Sequence, residues 1–140
     1  MFFLDTDVLS RIHGGNERIA FRIKQEGAQN VAATVVTAIE VLRGRREFLL
    51  KASDGKELMR AQELLALSEG LLRKTRRIVP VDTRAAEEFD RLSGIKSLKK
   101  IGRADLLIAS MALANGAILV TRNSKHFKLV PGLRIENWID

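Results

Sequence analysis

Short β-rich runs alternate with longer helical segments along the whole chain. The short runs are residues 2–4, 30–33, 78–81, 117–121 and 133–135. The segments between them are spaced for helices, and the segment 103–115 is apolar on nearly every side. Strands that alternate with helices form parallel sheets covered on both faces. We therefore expect a single α/β domain over residues 1–140, a three-layer α/β/α fold with a mostly parallel central sheet.

Capping residues predict where several helices begin and end. Thr6-Asp7 predicts the start of the first helix, Gly14-Gly15 its end, and Asn16 the start of the second. A third helix is expected to open at Thr34 or Thr37, a fourth to span residues 54–73, and a fifth to open at Asp82 or Thr83. Gly116 is expected to end the apolar helix.

The composition excludes some classes of function and favours others. The chain has 140 residues, a formal net charge of +7 and no cysteine. Without cysteine there is no zinc ribbon, thiol nucleophile or disulfide framework. The positive charge favours a polyanionic partner such as nucleic acid, although a basic protein without such a ligand is the alternative.

No feature of the sequence indicates a membrane protein. The start of the chain lacks the basic and apolar regions of a signal peptide, and no apolar stretch is long enough to span a bilayer. We expect a soluble cytoplasmic protein with no membrane partner.

Three acidic residues occur beside apolar segments, where acids are out of place. Asp5 ends the first strand, Glu40 lies in an apolar helical segment, and Asp105 lies in the first turn of the apolar helix. Each has an ordinary alternative role: a turn or helix cap for Asp5, an ion pair with Arg43 for Glu40, and compensation of the helix dipole for Asp105. All three are expected at the edge of the sheet where parallel strands end and ligands bind.

Three carboxylates at one point repel one another unless a cation neutralises them. Mg²⁺ is the expected ion, with Mn²⁺ able to substitute, because both prefer oxygen ligands. Zinc is disfavoured because His13 and His126 stand alone in the sequence, and both are expected to be surface residues. A metal held in this way suits hydrolysis of a phosphodiester by an activated water.

Other catalytic motifs are missing, and basic clusters lie beside two of the acids. The sequence has no P-loop, dinucleotide-binding or serine-hydrolase motif. One basic cluster, Arg43-Arg45-Arg46, follows Glu40, and another, Lys96-Lys99-Lys100-Arg103, precedes Asp105. Arg43 and Arg103 are therefore expected to contact phosphate, although basic runs are more often solvated surface.

Four segments of the chain are considered together: residues 3–7, 37–44, 104–109 and 119–127, followed by the closing residues 131–133 and 136–138. In this order and spacing, they resemble the PIN-domain nucleases, in particular the VapC-type toxins of toxin–antitoxin pairs. The resemblance implies a magnesium-dependent endoribonuclease that cleaves RNA as the toxin of the pair. It also implies a homodimer and a VapB-type antitoxin that covers the active site.

The same resemblance implies roles for individual residues. Asp5 and Asp105 correspond to the main magnesium ligands, and Glu40 is implied to complete the metal shell or to help orient the attacking water. The family's fourth acidic position is Asn123 here, so the site has one charge fewer. Thr121 is implied to hydrogen-bond beside the site, and Asp7 stands where relatives often carry Asn. Part of the helix over residues 54–73 is a candidate to contact the antitoxin or a second subunit, and the alternative is that its apolar stripe packs on the protein's own core.

Three alternative functions remain open on the sequence. Asn123 is also consistent with a catalytically weak PIN protein that binds RNA or a partner without cleavage. A housekeeping RNA-processing nuclease would carry the same acids. A metal-dependent phosphohydrolase acting on small phosphate esters is the third.

Overall fold

The computed structural model describes residues 1–74 and 77–140. The strands are β1 (Phe2–Leu4), β2 (Val31–Thr34), β3 (Ile78–Val79), β4 (Ile118–Val120) and β5 (Ile135–Glu136). The α-helices are α1 (Thr6–His13), α2 (Glu17–Glu26), α3 (Val35–Leu50), α4 (Gly55–Lys74), α5 (Thr83–Ser93), α6 (Arg103–Ala114) and α7 (Ser124–Phe127).

The strands form one parallel sheet in the order β3-β2-β1-β4-β5. From the central β1, the chain adds β2 and β3 on one side and then β4 and β5 on the other. In the register of the sheet, Phe2 lies opposite both Val31 and Ile118. The strand order therefore reverses between β1 and β4, and a crevice at such a reversal is where open α/β sheets bind ligands.

Helices cover both faces of the sheet. Phe3 and Leu119 belong to one hydrophobic cluster, which includes α5 and α6. Leu4 and Val120, their neighbours along the strands, belong to a second cluster, which includes α1, α2 and Trp138. Successive strand residues thus serve opposite cores, as the pleat of a β-strand requires. The predicted three-layer α/β/α architecture is confirmed.

The helix α6 is the buried helix that the sequence predicted. Most of its residues are buried, including Ser110, whose hydroxyl donates to the Leu106 carbonyl at 2.7 Å. The chain leaves the helix through Gly116, which has a positive φ of 60° that favours glycine. No helix in the described parts of the chain is both long and apolar enough to cross a bilayer.

The helix starts were predicted with mixed success. Asn16 caps α2 as expected, Thr34 rather than Thr37 caps α3, and Asp82 rather than Thr83 caps α5. For α1 the Thr6-Asp7 prediction was wrong, because the cap is Asp5, and the alternative role of Asp5 as a helix cap is confirmed. The four-residue helix α7 was not predicted, since one turn is too short to show a helical period.

Candidate active site

Asp5 lies where β1 ends, and backbone contacts hold it in place. Its N–H donates to the carbonyl of Val120 at 2.9 Å, which continues the pairing of β1 with β4. Its carboxylate accepts a hydrogen bond from the Thr6 N–H at 2.8 Å as the cap of α1. The helix start therefore fixes the side chain at the point where the strand order reverses.

The second carboxylate oxygen of Asp5 is held by Thr121, the residue that follows β4. The Thr121 hydroxyl donates to Asp5 Oδ2 at 2.7 Å, and both residues are buried. The same hydroxyl accepts from the backbone N–H of Asn123 at 3.0 Å. Thr121 thus joins Asp5 to the turn that carries Asn123.

Glu40 comes to the same region from α3. Its carboxylate accepts a hydrogen bond of 2.7 Å from the hydroxyl of Thr6, the neighbour of Asp5. Arg43, the alternative partner, is exposed, and the described residues show no ion pair between it and Glu40. A threonine rather than a cation therefore holds Glu40.

Burial and mutual repulsion disturb the ionisation of Asp5 and Asp105. Burial raises the pKa of Asp5, and the charges of Glu40 and Asp7 raise it further, against hydrogen bonds from Thr121 and Thr6. Burial also raises the pKa of Asp105, followed by the charges of Asp5 and Glu40. Both carboxyls are therefore harder to ionise than usual in the protein alone, and each is close enough to Glu40 to feel its charge.

The acids are close enough to interact but are not packed around a common point. Among residues 1–74 and 77–140, no three His, Cys, Asp or Glu side chains are grouped tightly enough to hold a metal ion as they stand. No Lys or Arg of that part of the chain lies within ion-pair distance of Asp5, Glu40 or Asp105. Their oxygens are the ligands that Mg²⁺ and Mn²⁺ prefer, so the chemistry of the donor set fits a divalent ion, which would offset the repulsion among the three carboxylates.

Three further residues predicted for the site have side-chain contacts with residues other than these three acids. Asn123 is exposed, and its side-chain amide lies 3.3 Å from Nδ1 of His126. Asp7 is exposed and pairs with Arg11 at 3.4 Å, although its charge still reaches Asp5. Arg103 precedes Asp105 by two residues, and its guanidinium carbon lies 5.6 Å from the centre of the Phe89 ring.

Both histidines differ from their expected place at the surface. His126 is half-buried, and its charge lowers the pKa of Asp105, so it is a neighbour of the site that the sequence did not reveal. Its position three residues after Asn123, one helical turn away, places it near Asn123 but gives no signal of its approach to Asp105. His13 is buried, and its Nδ1 lies 3.2 Å from the Ser68 hydroxyl, which also accepts from Arg45. Arg45 is therefore not free to contact phosphate.

Comparison with known proteins identifies the family of this fold. The sequence matches the PIN domain over residues 2–133, which is nearly the whole chain. The chain belongs to the PIN-domain family. The candidate site of this PIN domain lies where Asp5, at the end of β1, approaches the acids of α3 and α6.

The relatives of this PIN domain are VapC proteins. It is 26% identical to the tRNA(fMet)-specific endonuclease VapC of Salmonella typhimurium, covering 98% of this chain and 97% of that protein. It is 60% identical to ribonuclease VapC2 of Rickettsia felis over 38 residues, covering 27% of this chain and 28% of that protein. A crystal structure of DNA-bound VapBC from Salmonella typhimurium matches this PIN domain with a TM-score of 0.79 at 26% identity, covering 99% of this chain and 98% of the matched chain.

Proposed function

We propose that this protein is a divalent-metal-dependent endoribonuclease and the toxin of a VapC-type toxin–antitoxin pair. The observation that carries the proposal is the approach of Asp5, Glu40 and Asp105 at the reversal of strand order, with no cation of the described residues paired to them. The similarity to VapC ribonucleases supports RNA as the substrate.

Asp5, Asp105 and Glu40 would hold Mg²⁺ or Mn²⁺. When bound, such an ion lowers the pKa of a water molecule and offsets charge on the phosphoryl oxygens. The chain's own contribution is to keep the three carboxylates oriented. Thr121 and the Thr6 N–H orient Asp5, and the Thr6 hydroxyl orients Glu40. These contacts leave the Asp5 carboxylate little freedom to rotate away.

Two further polar groups complete the proposed site. Asn123 offers an uncharged amide in contact with His126, beside the turn that Thr121 holds. Arg43 is exposed one turn after Glu40 and is a candidate phosphate contact. Phosphate contacts of this kind position an RNA backbone without reading its sequence.

The RNase assay tests this proposal with the purified full chain. We expect RNA cleavage with Mg²⁺ or Mn²⁺, none with excess chelator, and none by Asp105→Ala. A matched control is Asp90→Ala, which removes an exposed acid from α5 and should cleave like the unmodified protein. Cleavage that persists in chelator or in Asp105→Ala would show that the acids do not carry the activity.

The toxin role has a separate test in cells. We propose a cytoplasmic homodimer whose site is covered by a VapB-type antitoxin, in line with the VapBC complexes that the fold matches. Expression of this gene alone should arrest growth, and expression of the adjoining antitoxin gene should restore it. Cleavage in vitro without growth arrest would favour an RNA-processing nuclease instead.

A catalytically weak PIN protein is the second candidate, and one observation favours it. The acids are not grouped as a ready-made metal site among the described residues, and Asn123 supplies no fourth charge. RNA binding that survives the loss of Asp5, Glu40 and Asp105 together, with no cleavage by the unmodified protein, would support this candidate.

A further inference from the structure

A concave surface lies beside the first turn of α6, on the side that faces α5. It is a groove of about 340 Å³ between α5, the loop that follows it, and α6. Its apolar walls include Phe89, Leu92, Ile95 and Leu98, and its cations are Lys99 and Arg103. The volume is at the lower end of the range for ligand pockets, about 300–1,000 Å³.

The segment that supplies Lys99 and Arg103 to the groove carries positive charge without acidic partners. Lys96, Lys99, Lys100 and Arg103 are all exposed within eight consecutive residues. None of them lies within ion-pair distance of an acid in the described ranges 1–74 and 77–140. Like charges placed this close repel one another, so an anion bound across them would be favoured.

The groove and the acids flank the same turn of helix. Arg103 and Asp105 are two residues apart in α6, and at 3.6 residues per turn their side chains leave the helix on nearly opposite sides. Leu106, another wall of the groove, lies on the Arg103 side. A strand that crosses the start of α6 would therefore meet the cations on one side and Asp105 on the other.

The walls of the groove suit a nucleobase as well as a phosphate. Phe89 is half-buried, and the guanidinium of Arg103 lies over its ring at 5.6 Å. Unpaired RNA bases stack on aromatic side chains and on arginine guanidinium groups. An acidic protein segment would use the cations but would have less use for this stacked pair.

We propose that this groove between α5 and α6 holds single-stranded RNA next to the acidic site, with phosphates on Lys99 and Arg103 and a base against the Arg103–Phe89 pair. The proposal rests on the proposed function, since it assigns the path of that enzyme's substrate. It goes beyond that function in naming the groove that holds the strand and the side of α6 from which the strand enters.

The first experiment measures RNA binding apart from cleavage. A labelled, unstructured oligoribonucleotide of about twelve nucleotides is titrated in chelator with the full-length protein and with Lys99→Gln/Arg103→Gln. Each lost phosphate contact to a single strand lowers the salt slope by ~0.7, about fivefold in affinity at roughly 0.1 M salt, so the double variant should bind about 25-fold more weakly.

A matched variant separates the groove from net charge. Lys24→Gln/Lys51→Gln removes the same two charges from exposed positions on α2 and after α3. It should keep the affinity and salt slope of the unmodified protein. Equal weakening by the two pairs would overturn the proposal, because binding would then depend on net charge alone.

Arg103→Lys tests the base contact without changing charge. It should weaken binding of the RNA but leave unchanged the binding of linear polyphosphate, which has charge and no bases. Equal affinity of Arg103→Lys and the unmodified protein for RNA would overturn the base contact. Thermal melting of each variant checks that it is folded.

The remaining outcomes distinguish other occupants and the proposed function itself. A changed oligomeric state of the Lys99/Arg103 double variant in sedimentation, with RNA affinity unchanged, would assign the groove to a second copy and overturn the proposal. Loss of antitoxin binding by the same double variant, with RNA affinity unchanged, would assign the groove to an acidic segment of the partner and would also overturn the proposal. If the unmodified protein binds RNA through the groove and cleaves nothing, the proposed function fails while the groove assignment stands.

Discussion

Replacing Thr121 with valine tests whether this residue orients Asp5. Valine keeps the shape of threonine but removes the hydroxyl that donates to Asp5 Oδ2 at 2.7 Å and accepts from the Asn123 N–H at 3.0 Å. Both Asp5 and Thr121 are buried, so water cannot easily replace these bonds. A hydrogen bond to a charged group contributes about 1.5–3 kcal/mol. We expect Thr121→Val to lower the free energy of unfolding by about 2 kcal/mol.

The matched control is Thr121→Ser, which keeps the hydroxyl and loses a methyl group worth roughly 1 kcal/mol. For a domain of this size, 1 kcal/mol shifts Tm by about 3–4 °C. The Tm of Thr121→Val should therefore fall by about 6–8 °C, and that of Thr121→Ser by about half as much. In a Mg²⁺ titration, only Thr121→Val should lose affinity, by about 10–100-fold, as outer-shell partners of metal ligands do. If Thr121→Val has a Tm no lower than that of Thr121→Ser, and the two variants bind Mg²⁺ with the same affinity, Thr121 does not orient Asp5.

Three further changes test other parts of the account. Thr6→Val removes the hydrogen bond to Glu40, so kcat should fall about tenfold with Tm little changed, whereas Thr6→Ser should keep the activity. Asp105→Asn should lose at least ~100-fold in cleavage and yet melt higher than the unmodified metal-free protein. The raised pKa of Asp105 means that its ionised form destabilises the folded protein. The difference in Tm between Asp105→Asn and the unmodified protein should therefore be present at pH 7–8. It should disappear as the pH falls and the carboxyl becomes protonated in both the folded and the unfolded protein. Burial and the charge of Arg45 lower the pKa of His13 from its ordinary 6.5, so the unmodified protein should lose stability as the pH falls below that value, and His13→Gln should not share this loss.

The order of the elements could be predicted from the sequence because it depends on local patterns. The strands β1 to β4 lie in largely apolar runs, and α6 was recognisable because it is apolar on nearly every side. Boundaries were less certain because a helix start offers several capping residues and folding selects one. Asp5 caps α1 because it lies where β1 ends and its carboxylate reaches the next N–H. The assignment of residues 1–140 to one domain stays a prediction.

The candidate site could be predicted only in part. The three acids stood out because carboxylates are rare beside apolar segments, and that signal is local. Their supports were harder to predict, since Thr6 holding Glu40 depends on how α1 packs on α3, and His126 reaching Asp105 depends on where α7 lies beside α6. Such contacts join residues that are distant in sequence, so no spacing reveals them. The roles of Asp5, Glu40, Asp105 and Asn123 in catalysis stay predictions.

The central claim is that Asp5, Glu40 and Asp105 bind one divalent ion together. Anomalous diffraction from a crystal of the protein soaked in Mn²⁺ tests it most directly. We expect a Mn²⁺ peak between β1 and the start of α6, at about the 2 Å ligand distance of such oxygen sites from carboxylate oxygens of Asp5 and Asp105. The peak should vanish in Asp105→Asn crystals. Mn²⁺ bound elsewhere, or no Mn²⁺ between these acids at saturating concentration, would contradict the account.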